Sequence, residues 1–172
     1  MTPHPRLDAA WFAEHAPNFS PDENWGDLSR LSPFVPITLQ RIRQFYNAPI
    51  KVLDGCTPRP ERPNSQHPLG LAVDFCPHIK PAGLTADEMQ QRHLREWLRL
   101  FQICQSIWLS GFGVYPLGSH GYGYFHLDLR GDGAPARWTA YRNDCGELEY
   151  TSGIDDLAVQ LSVINVARGL KA

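Results

Sequence analysis

The sequence lacks several features that mark particular classes of protein. Its 172 residues contain no run of 18 apolar residues, so we expect no transmembrane helix. Residues 1–8 lack the apolar stretch of a signal peptide, so a protein acting outside the cytoplasm would need another route of export. The net charge is −2 and the basic residues are scattered, so nucleic acid is not an expected partner.

Paired cysteines are also absent. The four cysteines, Cys56, Cys76, Cys104 and Cys145, include no Cys-x-x-Cys pair, which argues against a cysteine zinc site. Without a secretion signal, free thiols are expected. Catalysis by Cys76 beside His78 is disfavoured, because Cys76 continues an apolar segment and buried cysteine commonly acts as a small hydrophobic residue.

The remaining pattern is that of one domain with its own core. The length suits a single domain, and the apolar content of 42% is ordinary for a globular protein. We divide the chain into an irregular N-terminal extension over residues 1–33, a core over 34–140 and a C-terminal strand and helix over 141–172. Aromatic residues of the extension are expected to pack it on the core. Predicted helices lie near residues 8–15, 36–47 and 85–109, and from residue 153 onwards.

A strictly alternating segment carries the first chemical signal. In a β-strand, alternate residues face opposite sides of the sheet, and residues 124–130 therefore have one apolar and one polar face. The apolar face consists of Phe125, Leu127 and Leu129. The polar face consists of Tyr124, His126, Asp128 and Arg130.

A second segment, residues 65–75, ends in a similar strand. If the two strands pair in one sheet, Asp74 lies near His126, and Gly70 allows the chain to turn so that His67 returns to the same place. Two histidines and one carboxylate, with one open position, suit a catalytic Zn²⁺. Non-haem Fe²⁺ has the same ligand preference. The alternative is that His67 is a loop histidine and that His126 and Asp128 form an ordinary surface pair.

These residues resemble the zinc D-alanyl-D-alanine carboxypeptidase family, which shares its fold with hedgehog signalling domains and includes phage endolysins. The family pattern Ser-x-His-x-x-Gly-x-Ala-x-Asp is matched at Ser65, His67, Gly70, Ala72 and Asp74. Segments 111–116, 125–130 and 137–138 resemble a branch found in bacterial and phage or prophage proteins. The resemblance spans roughly residues 37–138 and implies an α+β fold with a small antiparallel sheet and flanking helices.

The resemblance also implies roles for individual residues. His67, Asp74 and His126 are the expected Zn²⁺ ligands, and Ser65 is an expected substrate contact. The family often has a Tyr-Arg pair after a glycine, where this chain has Cys56 and Thr57. Arg59 or Arg62 from the following loop is expected to replace that arginine.

The general base departs from the family pattern. Many members carry it two or three residues before the last histidine, where this chain has Tyr124 and Gly123. Asp128 is therefore the first candidate and His120 the second. Asp128 can alternatively hold a ligand histidine in place. Arg130 can bind a peptide carboxylate or pair with Asp132.

The expected function is zinc-dependent hydrolysis of a peptidoglycan stem-peptide bond, as a carboxypeptidase or an endopeptidase. The protein would be made in a bacterial cytoplasm and reach the cell wall by phage-type lysis or particle assembly. Two alternatives remain: a non-catalytic zinc-containing binding module of the same fold, and a component of a phage particle.

Overall fold

Three helices and six strands make up the described part of the chain. The structure is a computed structural model that describes residues 5–80, 83–116, 123–131, 135–142 and 147–154. The helices are α1 (Ala9–His15), α2 (Phe34–Tyr46) and α3 (Ala86–Ser106). The strands are β1 (Ile50–Asp54), β2 (Ala72–Pro77), β3 (Gly111–Tyr115), β4 (Tyr124–Asp128), β5 (Ala136–Arg142) and β6 (Leu148–Ser152).

The strands form one mixed sheet in the order β1-β2-β4-β3-β5-β6. The predicted α+β class is confirmed, but the predicted antiparallel sheet is wrong for one pair, because β3 and β5 run parallel. The reason is the path of the chain. Strand β4 returns antiparallel alongside β3, and the chain then crosses to the other side of β3, where β5 takes up its direction.

Helix α3 covers one face of the sheet. It begins at a capping box in which Thr85 and Glu88 bond each other's backbone N–H groups, as the sequence predicted. Trp97 stacks on Phe125 of β4 with ring centroids 4.7 Å apart. The helix ends at Ser106, earlier than predicted, and Trp108, just beyond it, is 79% exposed.

The N-terminal segment packs into the same core. Asp8 caps α1 by accepting a hydrogen bond from the backbone of Trp11. Phe12 and Phe19 both contact Trp25, which is completely buried. These aromatic residues belong to the buried core and join the segment to it.

Two further findings concern the helices. None of the described helices is long and apolar enough to cross a membrane. The final helix predicted from residue 153 falls almost entirely on residues 155–172, which lie outside the described residues.

Candidate metal site

Three polar side chains converge on the face of the sheet opposite α3. Strands β2 and β4 pair antiparallel with Asp74 directly opposite His126, as the alternation of both segments predicted. Gly70 has a φ of +71°, so the chain turns sharply before β2 and brings His67 to the same point. All three side chains are buried.

The three inward-facing atoms form a compact triangle. The Nδ1 atom of His126 lies 2.8 Å from Oδ1 of Asp74 and 3.2 Å from Nε2 of His67. The third edge, from Nε2 of His67 to Oδ1 of Asp74, is 3.3 Å. These residues are the group of described residues that can hold a metal ion.

The outward nitrogen of His67 fixes its tautomer. Nδ1 lies 2.6 Å from the carbonyl oxygen of Gly55, and a carbonyl oxygen can only accept a hydrogen bond. Nδ1 therefore carries the proton, and the neutral ring presents the lone pair of Nε2 to Asp74 and His126. This is the arrangement that metal-binding histidines commonly use.

The outward nitrogen of His126 is held by a carboxylate. Nε2 lies 3.2 Å from Oδ2 of Asp128, which is completely buried. Arg130 donates two hydrogen bonds to the same carboxylate, from Nε to Oδ1 at 2.7 Å and from Nη2 to Oδ2 at 2.5 Å. The bidentate ion pair keeps Asp128 ionised, so Nε2 of His126 donates and Nδ1 remains free to act as a ligand.

Asp74 has an outer partner of its own. Nη2 of Arg59 lies 3.5 Å from Oδ2 of Asp74 and also forms an ion pair with Asp54. Since Arg59 contacts Oδ2, the other oxygen, Oδ1, is the one that faces the two histidines. Each of the three inward-facing side chains is thus oriented by a neighbour in the protein.

Electrostatics in the metal-free site favour a proton on His126. Burial alone would lower the pKa of His126, but hydrogen bonds to Asp128 and Asp74 outweigh it and raise the pKa to about 9. For Asp74, burial is likewise outweighed, because the hydrogen bond from His126 holds its pKa well below the usual range. A proton on His126 and a bound cation therefore compete for the same place.

The triangle also fits the geometry of zinc. Tetrahedral Zn²⁺ with Zn–N and Zn–O bonds of about 2.0–2.1 Å places neighbouring ligand atoms about 3.3 Å apart. The observed edges of 2.8, 3.2 and 3.3 Å lie close to that value. With His126 neutral, the lone pairs of three ligand atoms face one another with no proton between them, and they repel each other. A cation at their centre would remove this repulsion.

The structure places the other predicted site residues in different settings. Ser65 lies at the site, where its hydroxyl accepts a hydrogen bond from the backbone of His67 at 3.3 Å. Arg59 and Arg130, predicted to bind substrate, are both engaged with carboxylates of the site. His120 and Asp132, the predicted alternative partner of Arg130, lie outside the described residues.

Two glycines of β3, Gly111 and Gly113, lie beneath the site, and no role in the site was predicted for either of them. A Cβ atom at residue 111 would overlap the carboxylate of Asp128, and one at residue 113 would overlap the indole of Trp138. Trp138 in turn packs against His126, with ring centroids 5.2 Å apart, and beneath the guanidinium of Arg130. The alternation Gly-Phe-Gly in the sequence is the signal that could have indicated this close approach.

A cleft of about 470 Å³ opens above the inward-facing side chains. One side is formed by residues 62–66, and the other by aromatic residues of β3, β4, β5 and β6. Among the described residues that line it, Asp74 is the only carboxylate. Asp128 does not reach the cleft.

Comparison of the chain with protein-family models, with curated proteins and with solved structures found no match.

Proposed function

We propose that this protein is a zinc-dependent peptidase that hydrolyses a peptide bond in the stem peptide of peptidoglycan. The observation that carries the proposal is the triangle of His67, Asp74 and His126, whose inward-facing atoms are 2.8–3.3 Å apart and whose outer atoms are held by other groups. The substrate class is supported by the sequence motif that contains these residues. The open cleft above the triangle gives a peptide access to it.

Zn²⁺, when bound by these three side chains, supplies Lewis acidity that activates water and polarises a peptide carbonyl. The surrounding residues hold the ligands. Gly55 and Asp128 accept hydrogen bonds from the two histidines, and Arg59 contacts the outer oxygen of Asp74. Such partners typically contribute about 10–100-fold to metal affinity or activity.

The role of Asp128 follows from its surroundings. A general base must come within hydrogen-bonding distance of the attacking water. Asp128 is completely buried, bonded to both His126 and Arg130, and absent from the lining of the cleft. We therefore assign Asp128 to the orientation of His126, and His120 is the candidate that remains for the base.

The first test combines metal analysis with a digest of purified peptidoglycan. We expect about one zinc per chain in the wild type and new stem-peptide fragments in the mass spectrum. His126→Ala and Asp74→Asn should lose both, whereas His120→Ala should retain zinc and lose cleavage. His78→Ala is the matched control, because His78 is an exposed histidine away from the triangle. Wild-type protein that contains no metal, or a His126→Ala variant with full zinc and activity, would contradict the proposal.

A second candidate function is a non-catalytic zinc-containing binding module. It is favoured by one observation: Asp74, itself an expected ligand, is the only carboxylate among the described residues of the cleft. Zinc at one per chain, together with binding of stem peptide and no cleavage product, would support this function over the peptidase.

A further inference from the structure

The cleft has two chemically different walls. One wall is aromatic and consists of Tyr115, Tyr124, Trp138 and Tyr150, which lie on four different strands. The polar wall is the segment 62–66, which presents the polar side chains of Arg62, Asn64, Ser65 and Gln66. The three expected metal ligands line the same cleft, and Trp138 of the aromatic wall packs against His126.

The aromatic wall is fixed in place by its own contacts. The rings of Tyr115 and Tyr124 stack in parallel with centroids 4.4 Å apart, and the indole nitrogen of Trp138 donates to the Tyr115 hydroxyl at 3.2 Å. Tyr150 meets Tyr115 at an interplanar angle of 83°. Tyr150 lies on the edge strand β6 and is 50% exposed, so this wall offers aromatic surface to a ligand.

The polar wall offers unused hydrogen-bonding groups. Arg62, Asn64 and Gln66 line the cleft with a guanidinium and two amides. In the part of the chain that the structure describes, no hydrogen bond or ion pair occupies these three side chains. Together they provide both donors and acceptors in planar groups.

We propose that this part of the cleft binds a pyranose ring. A pyranose has a face of C–H groups that packs on an aromatic ring and a rim of hydroxyl groups that requires donors and acceptors, which are the two kinds of surface found here. An apolar amino-acid side chain would satisfy the aromatic wall only, and would bury Arg62, Asn64 and Gln66 against a group that cannot bond them. The inference rests on the proposed function and extends it: the substrate is a peptide attached to a sugar, and the sugar is recognised as well as the peptide.

The test is a titration of the zinc-loaded protein with tri-N-acetylchitotriose, monitored by calorimetry and by tryptophan fluorescence. We expect saturable binding in the millimolar range. Tyr150→Ala should weaken binding about tenfold, the loss that corresponds to removal of one stacking contact. Gln66→Ala should weaken it as well. Phe45→Ala should bind like the wild type, because Phe45 is a comparably exposed aromatic residue on α2, outside the cleft.

Several outcomes would overturn the inference. One is the absence of saturable binding by the wild type at tens of millimolar sugar. Another is binding that Tyr150→Ala and Gln66→Ala leave unchanged while thermal melts show both variants folded. A third is displacement of the sugar by N-acetylphenylalaninamide with tighter binding, which would make the aromatic wall a pocket for an amino-acid side chain.

Failure of this inference can be separated from failure of the proposed function. Cleavage of a sugar-free stem peptide as fast as a sugar-linked one, without binding of chitotriose, would overturn the sugar site and leave the peptidase intact. Binding of chitotriose by a protein that cleaves neither peptide would support the sugar site and overturn the peptidase.

Discussion

The two histidines of the site are oriented by acceptors of different kinds. His67 donates to the backbone carbonyl of Gly55, whereas His126 donates to the side chain of Asp128. A backbone carbonyl keeps its position as long as the fold persists. Asp128 depends on its ion pair with Arg130 and on the space above Gly111. Substitutions at Arg130 or Gly111 are therefore expected to perturb the orientation of His126 directly.

We expect metal affinity to rise with pH. The pKa of His126 is raised to about 9, so at neutral pH the metal-free site holds a proton that the metal must displace. Displacement of one proton raises the apparent affinity about tenfold per pH unit up to pH 9, above which it levels off. Competition with a chromophoric chelator between pH 6 and pH 10 measures this slope. An affinity that stays constant from pH 7 to pH 9 would contradict the assignment of a proton to His126.

Gly111→Ala tests the support beneath Asp128. The added Cβ would overlap the carboxylate of Asp128 and displace it from His126. We expect about 10–100-fold weaker zinc binding and a loss of about 1–3 kcal/mol in the free energy of unfolding. Chelator competition and urea unfolding measure the two effects.

Gly131→Ala is the control for this substitution. A Cβ at residue 131 would meet no atom within 4 Å, so both zinc affinity and stability should match the wild type. Equal behaviour of the two alanine variants would show that Asp128 does not depend on the open space at residue 111.

The sequence predicted the inward-facing residues because their geometry is local. Alternation along β4 placed His126 on the polar face, and pairing with a similar alternating strand placed Asp74 opposite it. The partners of Arg59 and Arg130 were not predictable in this way. Both arginines were expected to bind substrate, and only the folded structure shows that carboxylates of the site engage them.

At the scale of elements, the N-terminal segment supports the loop that carries His67. The backbone N–H of Ser32 donates to the carbonyl of Gly70 at 2.8 Å, and Arg30 donates to the carbonyl of Pro68 at 2.6 Å. Trp25 and Cys56 are also joined through their backbones. This segment was expected to pack on the core, but its contacts with the metal-binding loop were not foreseen.

Trp25→Ala should therefore affect both stability and metal binding. Removal of this fully buried indole is expected to cost about 3–5 kcal/mol in the free energy of unfolding and to weaken zinc binding. Trp11→Ala is the matched control, since Trp11 is only partly buried on α1. Urea unfolding and chelator competition on both variants provide the measurement. Equal losses of zinc affinity in the two variants would contradict a specific link between Trp25 and the loop.

Strand order was the least predictable feature of the fold. Each of β1 to β4 has apolar residues in a pattern that the sequence reveals, but the crossing that makes β5 parallel to β3 leaves no local signal. Strand β6 has the partly and fully exposed residues of an edge strand, with little apolar alternation to mark it. Tyr150, which completes the aromatic wall, was missed for this reason.

At the scale of the whole molecule, the metal should stabilise the fold. His67 comes from a loop, whereas Asp74 and His126 come from paired strands, so a shared ion would join the loop to the sheet. At a free zinc concentration 100 times the dissociation constant, the expected gain is about 2.7 kcal/mol. Thermal melts with zinc and with EDTA measure it. The His126→Ala variant should melt at the same temperature in both conditions, and a wild type that does so as well would contradict the presence of a metal site.

The positions of the ligands along the chain also determine when the site can form. Asp74 and His126 are 52 residues apart, and the whole of α3 lies between them. Their strands must pair across that helix before an ion can contact both, and such long-range pairing forms slowly. Zinc should therefore leave the refolding rate unchanged and slow unfolding, because the ion stabilises contacts that are absent from the transition state. Stopped-flow refolding and unfolding with and without zinc measure both rates. The expected result is that the metal stabilises the completed fold and does not nucleate its formation.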